Sequence, residues 1–200
     1  MKYFLCTSLI LISFFTQAKQ ATSDLGYTIE IPNSWSPLTG PEIKANPDLF
    51  NFEQIDGIPP ALLKQIMPVI QSGNMDLYFI PNNSENLAND FTDNINVMKQ
   101  VGNVPSNPNE LNEVCASAKS ELSSVFQRDI TLYECKQTKV IGRNALYAKF
   151  DGGLEGTVSM QYHFPLSENV FLMFTATAKL DTYETIEKEF QQVINTISLQ

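Results

Sequence analysis

The sequence predicts an α+β fold in which an antiparallel sheet is flanked by helices. The second half of the chain holds four strand-like segments separated by short turns, which is typical of an antiparallel meander. One segment with an apolar helical face precedes the meander, and another follows it. Because such faces must be buried, we expect both helices to pack on the sheet. A composition of 43% hydrophobic and 18% charged residues agrees with an ordinary globular domain.

The chain opens with the features of a secretory signal peptide. Lys2 supplies a positive charge, residues 3–15 form a short apolar run, and Thr16-Gln17-Ala18 is a small-residue cleavage site. The run is shorter than the roughly 20 residues that span a bilayer, so we expect no transmembrane anchor after cleavage. Residues 1–18 are therefore predicted to be a signal peptide, and residues 19–200 a single α+β domain that is periplasmic or secreted.

The first half of this domain is predicted to hold one helix among three strands. Apolar and polar residues alternate over 27–31, which indicates a short half-buried strand. Prolines and glycines over 36–57 indicate a long irregular connection. Residues 58–68 are typical of a short apolar helix that Pro68 should end. Two further strands are predicted over 75–80 and 94–98.

A longer helix is predicted over 107–126 from its start signal. Asn107 is the expected N-cap, Pro108 occupies the first turn, and Glu110 stands where it completes a capping box. Apolar residues then recur at spacings of three and four, and Cys115 lies on the face that they form.

The meander and a closing helix fill the remainder. The run from Val170 to Phe174 is apolar on both faces, which predicts a central position in the sheet for its strand. Asp181 is the expected cap of the last helix, with Glu184 in the capping-box position, and the apolar stripe of this helix should pack on the sheet. The four strands of the meander are predicted over 130–138, 140–150, 157–164 and 170–178.

The cysteines favour one disulfide. Cys6 leaves with the signal peptide, so Cys115 and Cys135 remain as an even pair in an oxidising compartment. A bond between them closes a loop of about 20 residues and is worth about 3 kcal/mol in the chain-entropy model. Two free buried thiols and a reactive cysteine are the alternatives.

The charge of the chain argues against nucleic acid as a partner. The formal net charge is -9, and no two Lys or Arg residues are adjacent anywhere in the sequence. Such a chain lacks the basic stripe that binds phosphates and releases their counterions. Anionic membrane surfaces are disfavoured for the same reason.

Several segments resemble those of the PsbP-like superfamily. They are Gly26–Trp35 (GYTIEIPNSW), Phe91–Val97 (FTDNINV), Ala176–Ala178 (ATA) and Ile194–Ile197 (INTI). The resemblance covers about residues 25–199 and includes exported DcrB/PsbP-like proteins of bacteria. It implies a PsbP-like single domain, an antiparallel sheet flanked by helices, used mainly for binding other proteins. It carries no catalytic residue and no cofactor onto this chain, so we expect neither.

The residues that could carry chemistry are few. His163 is the only histidine, and strand alternation sets it opposite Tyr162 and Phe164, toward solvent, so we expect no catalytic or metal role. Trp35 is expected to fill core volume, with stacking on a ligand as the alternative. Oxygen ligands for calcium exist in two acidic clusters, whose spacing matches no EF-hand and suits turns and caps instead. These clusters are Asp90, Asp93 and Asn94, and Asp151 with Glu155.

The segment 58–70 is the candidate partner surface. Its apolar residues do not form one clean stripe, so the segment is either buried all round or partly exposed to a partner. The residues concerned are Leu62, Leu63, Ile66, Met67, Val69 and Ile70.

We therefore expect a non-catalytic exported module of the cell envelope that binds an unidentified protein or serves as an accessory. A secreted carboxylate-dependent hydrolase and an exported effector acting on a host protein are the alternatives.

Overall fold

The computed structural model describes residues 18–46, 60–81 and 91–200. The predicted signal peptide up to Gln17, the 58–59 start of the apolar segment and Asp90 lie outside these residues. The elements in chain order are β1 (Ala18–Ser23), β2 (Tyr27–Pro32), β3 (Ser36–Leu38), α1 (Gly40–Ala45), α2 (Pro60–Ser72), β4 (Met75–Phe79), β5 (Asn94–Val101), α3 (Pro108–Phe126), β6 (Leu132–Val140), β7 (Arg143–Asp151), β8 (Thr157–Ser167), β9 (Val170–Lys179), α4 (Tyr183–Ile194) and β10 (Ser198–Leu199).

The strands form a large and a small antiparallel sheet. The large sheet has seven strands in the order β3-β4-β5-β9-β8-β7-β6, and the small sheet has the order β1-β2-β10. Strands β6 to β9 are the predicted meander, and β9 lies in the middle of the large sheet between β5 and β8, as its apolar run predicts. The α+β class with an antiparallel sheet flanked by helices is confirmed.

One face of the large sheet, here the inner face, packs against α4 and the small sheet. Phe174 on β9 is fully buried, and its ring makes edge-on contacts with Tyr27 of the small sheet and with Phe164 of β8. The predicted stripe of the last helix points here, and its buried residues within α4 are Ile186, Phe190, Val193 and Ile194. This face holds the main hydrophobic core.

The opposite face, here the groove face, is flanked by α2 and α3. Apolar residues of α2 cluster with Met75 and Leu77 of β4 at one side. On the other side, Leu122 and Phe126 of α3 cluster with residues of β7. None of the 19 residues of α3 is fully buried. The two helices lie over opposite sides of the middle strands, β9 and β8, and contact each other.

A disulfide attaches α3 to the sheet. Cys115 of α3 and Cys135 of β6 are bonded, with their Cα atoms 5.6 Å apart, in agreement with the prediction. No side chain of α3 is fully buried, so the disulfide adds a covalent attachment to the partly buried contacts of Leu122 and Phe126.

The prediction that Pro68 ends the helix is wrong, because α2 continues through it to Ser72. Pro68 is exposed and removes the hydrogen bond that its missing N–H would make. The neighbouring Val69 and Ile70 pack into the cluster with β4, and this burial offsets the loss.

The predicted irregular connection over 36–57 is also wrong in its first part, where β3 and α1 occur. Thr39 starts α1 with a capping box, in which its N–H and Oγ donate to Glu42 Oε2 at 2.7 and 2.8 Å. The sequence Thr-Gly-Pro-Glu is a capping box, which predicts a helix start. It was overlooked because the glycine and prolines nearby indicated an irregular connection. Strand β1 was not predicted either, because its alternation is short and mostly polar.

The predicted helix caps need two corrections. Thr182, and not Asp181, is the N-cap of α4, and no side chain caps it. At α3, Asn107 is the N-cap as predicted, but Glu110 accepts from the N–H and Oγ of Ser106 at 2.8 and 3.0 Å. Within the residues that the structure describes, no helix has the length and apolarity needed to cross a membrane.

Candidate functional site

The middle of the groove face is a floor made by three neighbouring strands. Because side chains alternate between faces, every second residue of β5, β9 and β8 points to this floor. Cross-strand pairing sets the floor residues in three rows, each crossing from β5 through β9 to β8. The rows are Asn94, Thr177 and Ser159; Asn96, Thr175 and Gln161; and Met98, Met173 and His163.

The first two rows of the floor are polar without being charged, and two of their atoms lack partners. Ser159 Oγ and Thr177 Oγ1 are hydrogen bonded at 3.0 Å. Thr175 Oγ1 and Asn96 Oδ1 are buried, and neither has a hydrogen-bond partner among the described residues. A buried polar group without a partner costs about 1–3 kcal/mol. The floor therefore holds hydrogen-bonding capacity that folding leaves unused.

The expectation that His163 faces solvent is wrong. It lies opposite Tyr162 and Phe164 as predicted, but that face is flanked by helices, and the residue is half-buried. Its ring stacks on Phe171 with centroids 5.0 Å apart, and its Nε2 lies 3.2 Å from Gln161 Oε1. Burial lowers the pKa of His163 to about 4, so the imidazole is neutral at ordinary pH.

The predicted partner surface lies on α2, at one side of the groove face. Ile70 is buried, and Ile66, Met67 and Val69 are half-buried in the same cluster, which includes Met98 of the floor. Leu63 is half-buried outside this cluster. The side chain of Leu62 lies outside the described part of the chain. A role of this segment in partner binding stays a prediction.

The acidic clusters make ordinary structural contacts. Asp93 Oδ1 accepts from the Lys179 N–H at 2.9 Å. Asp151 accepts from the Thr131 N–H at 2.8 Å and from the Tyr133 hydroxyl at 2.5 Å. In the ranges that the structure describes, no three His, Cys, Asp or Glu side chains lie close enough together to hold a metal ion.

A second concavity lies at the end of the sheet next to the β7–β8 loop. It is a cleft of about 630 Å³ whose lining includes two cations and two carboxylates: Arg128, Lys179, Glu155 and Asp181. Arg128 donates to the Gly152 carbonyl, and Glu155 and Asp181 are both exposed. Glu155 and Asp181 are the carboxylates that this cleft offers to the hydrolase alternative.

Two buried polar groups lie on the inner side of the sheet, and both have hydrogen-bond partners. Trp35 has 0% exposure and donates from Nε1 to Glu189 Oε2 at 2.7 Å, as a core residue should. Asp76 is 3% exposed and accepts from the Tyr27 hydroxyl at 2.7 Å, the Gly40 N–H at 2.7 Å and the Ser23 hydroxyl. Burial raises the pKa of Tyr27 well above its usual range, so its hydroxyl keeps its proton.

The sequence analysis did not predict the groove floor. Thr175 and Thr177 alternate with apolar residues in the central strand, and Asn94 and Asn96 do the same in β5. Polar residues at every second position of a strand in mid-sheet were the available signal. The signal is ambiguous, because an ordinary solvent-facing surface of a sheet shows the same alternation.

Comparison with known proteins identifies the fold. No family model matches the chain, and no curated protein matches it. Among solved structures, the chain is similar to the cyanobacterial PsbP protein CyanoP of Synechocystis sp. PCC 6803, with a TM-score of 0.53 and 12% identity, covering 98% of this chain and 99% of that one. At this identity the likeness shows the fold alone. The chain therefore has the PsbP-like fold, as the resemblance implied.

Two further solved structures are more distant. The Ran-binding protein Mog1p of Saccharomyces cerevisiae has a TM-score of 0.46 and 8% identity, covering 92% of this chain and 96% of that one. LpqN, a protein involved in cell envelope biogenesis of Mycobacterium tuberculosis, has a TM-score of 0.43 and 11% identity, covering 92% of this chain and 91% of that one.

Proposed function

We propose that this chain of PsbP-like fold is a non-catalytic, exported accessory module of the cell envelope that binds a protein partner in the groove. One observation carries the proposal. Two buried oxygens on the groove floor, Thr175 Oγ1 and Asn96 Oδ1, have no hydrogen-bond partner among the described residues. A partner that displaces the side chains covering these oxygens and donates hydrogen bonds to them recovers free energy that folding alone does not.

The surroundings of these oxygens suit a polypeptide segment. Backbone N–H groups of a bound segment are donors that the floor can satisfy. The wall formed by α2 offers half-buried apolar side chains, including Leu63, Ile66 and Val69. The first two rows of the floor carry no formal charge, and the single titratable group of the third, His163, is neutral because its pKa is about 4. The groove therefore favours an uncharged extended or helical segment over a small ionic ligand.

Export is the second part of the proposal. The predicted signal peptide supports it, and a disulfide between Cys115 and Cys135 suits an oxidising compartment. Cleavage after Ala18 would leave β1 intact except for its first residue. We expect the mature protein to begin at Lys19, to consist of one domain over 19–200, and to accumulate in the periplasm or outside the cell. Intact-mass measurement of the exported protein checks this, and a mass that still includes residues 1–18 contradicts it.

Photo-crosslinking tests the groove as the binding site. A photoreactive residue replaces Gln161 on the floor in one variant and Glu184 on the exposed side of α4 in the control. We expect a discrete protein adduct from the floor position and none from the control. Equal labelling from both positions, or labelling from α4 alone, contradicts the proposal.

Charge substitutions on α2 separate a structural role from binding. Ile66 packs in the apolar cluster with β4, whereas Leu63 does not. Ile66→Asp should therefore lower the melting temperature, because it buries a charge. Leu63→Asp should keep the melting temperature within a few degrees and reduce the crosslinked adduct at least tenfold. An undiminished adduct in the folded Leu63→Asp variant removes α2 from the binding surface.

The hydrolase alternative has one specific observation in its favour, the cleft with Glu155 and Asp181. Hydrolysis of a glycoside or peptide substrate by the mature protein, abolished by Glu155→Gln with Asp181→Asn, would replace the binding proposal. An exported effector would use the same groove, and the origin of the crosslinked partner, envelope or host, separates it from an envelope module.

A further inference from the structure

The third row of the groove floor continues onto β4 and places three methionines and the only histidine side by side. Met75 of β4 pairs with Met98 of β5, Met98 pairs with Met173 of β9, and Met173 pairs with His163 of β8. All four residues lie on the groove face. Directly opposite residues of an antiparallel pair have Cβ atoms about 4.5–5.5 Å apart. Met98 and His163 therefore flank Met173 on the two neighbouring strands, and the Met98 sulfur accepts from Gln100 Nε2 at 3.9 Å.

Met173 does not behave as a core methionine. It is half-buried in the central strand, and it belongs to none of the three apolar clusters that the described residues form. Met160, on the inner face of the neighbouring strand, is 1% exposed and belongs to the main core. Packing in the main core therefore accounts for Met160, whereas no apolar cluster of the described residues includes Met173.

The donor set of this row is soft and uncharged. Thioether sulfur and imidazole nitrogen suit monovalent copper, whereas calcium and magnesium require oxygen ligands. The cysteines do not compete, since Cys115 and Cys135 are bonded to each other.

The contacts of His163 suit it to bind a metal ion. Gln161 Oε1 lies 3.2 Å from Nε2 and accepts from it in the tautomer whose proton is on Nε2. The lone pair is then on Nδ1, and the contact with Gln161 is the kind of outer hydrogen bond that orients a metal-binding imidazole.

We propose that Met98, Met173 and His163 bind one Cu(I) ion on the groove floor. Met75 ends the row and is buried at 6% exposure, whereas Met98 in the same apolar cluster is only half-buried, so Met75 is not required. The proposal goes beyond partner binding and does not depend on it.

Competition for Cu(I) tests the site. The purified protein, with its disulfide intact, is titrated without oxygen or thiols against the Cu(I) complex of bicinchoninate, with ascorbate holding copper reduced. We expect one equivalent of Cu(I) to be withdrawn from the chelator. Met173→Leu and His163→Gln should each weaken binding at least tenfold. Met160→Leu, the matched control on the inner face, should bind within twofold of the unaltered protein.

A second readout separates ligation from a change in folding. Ag(I) is a redox-inert probe of the same chemistry, and the methionine methyl resonances report which thioethers it contacts. We expect the resonances of Met98 and Met173 to move together at one equivalent while that of Met160 stays in place. Failure to withdraw Cu(I) from the chelator, unchanged affinity in the folded Met173→Leu and His163→Gln variants, or equal shifts of all methionines overturns the proposal. Because no partner is present in either measurement, failure here leaves the binding proposal standing.

Discussion

The two faces of the large sheet are built from alternate residues of the same strands and have opposite properties. On the inner face, Val97 and Phe174 are fully buried and packed among apolar neighbours. One residue away on each strand, Asn96 and Thr175 point to the groove face with buried oxygens that no described residue satisfies. The inner face is thus arranged for stability, and the groove face retains polar groups that cost stability.

The covering helices differ in the same way. Four residues of α4 are buried, so apolar contact holds this helix on the inner face. No residue of α3 is fully buried, and a disulfide anchors it on the groove face. The helix held by burial thus lies on the face that stabilises the fold, and the disulfide-anchored helix lies on the face whose buried oxygens have no partner among the described residues. The comparison therefore assigns stability to the inner face and interaction to the groove face.

The largest expected effect comes from truncating the inner face. Phe174→Ala removes a fully buried ring that contacts Tyr27 and Phe164, and we expect the free energy of unfolding to fall by about 3–5 kcal/mol. The matched control is its neighbour Met173→Ala on the groove face, which should cost about 1 kcal/mol because the side chain is only half-buried. Denaturant titration measures both. Equal losses would mean that the two faces do not differ.

The next largest effect should come from the disulfide. Replacing Cys115 and Cys135 together by Ser should lower the free energy of unfolding by about 3 kcal/mol, the chain-entropy value for a loop of this length. A thiol reductant should bring the unaltered protein to the same stability and leave the double variant unchanged. A loss well under 1 kcal/mol would show that α3 is held by packing after all.

A smaller loss is expected at Asp76, where the buried polar contacts are complete. Asp76→Asn leaves one acceptor oxygen where the carboxylate receives three hydrogen bonds, so we expect a loss of about 2 kcal/mol. The control is Asp24→Asn, an exposed residue next to Ser23 in the chain. Its free energy of unfolding should stay within about 0.5 kcal/mol of that of the unaltered protein. If both variants unfold alike, the network at Asp76 does not tie the small sheet to β4.

Local patterns predicted most of the fold. Strand and turn patterns indicated the meander, the apolar run of β9 indicated its central place, and the stripe of α4 predicted which residues are buried. The disulfide followed from counting cysteines. Predictions failed where a nonlocal contact decides the outcome: α2 continues past Pro68 because Ile70 is buried against β4, and β1 forms because β2 provides hydrogen bonds to it.

The rows of the groove floor could not be predicted from the sequence for a related reason. His163 alone has no neighbour in sequence that could be a metal ligand. Met173 and Met98 come beside it only through the pairing of β8, β9 and β5. Register across strands that are distant in sequence cannot be read from spacing, so the rows of the floor required the structure. The acidic residues that spacing did single out, Asp93 and Asp151, make turn and backbone contacts.

The central claim, that the groove face keeps polar groups at a cost in stability, is tested most directly by the unfolding free energy of Thr175→Val. Valine has the shape of threonine and removes the buried hydroxyl that has no partner among the described residues. Replacing such a group is neutral or stabilising. We expect denaturant titration to give an unfolding free energy that is unchanged or raised by up to about 1 kcal/mol. A loss of more than about 1 kcal/mol would mean that the hydroxyl is satisfied in the folded protein and that the groove face is an ordinary core.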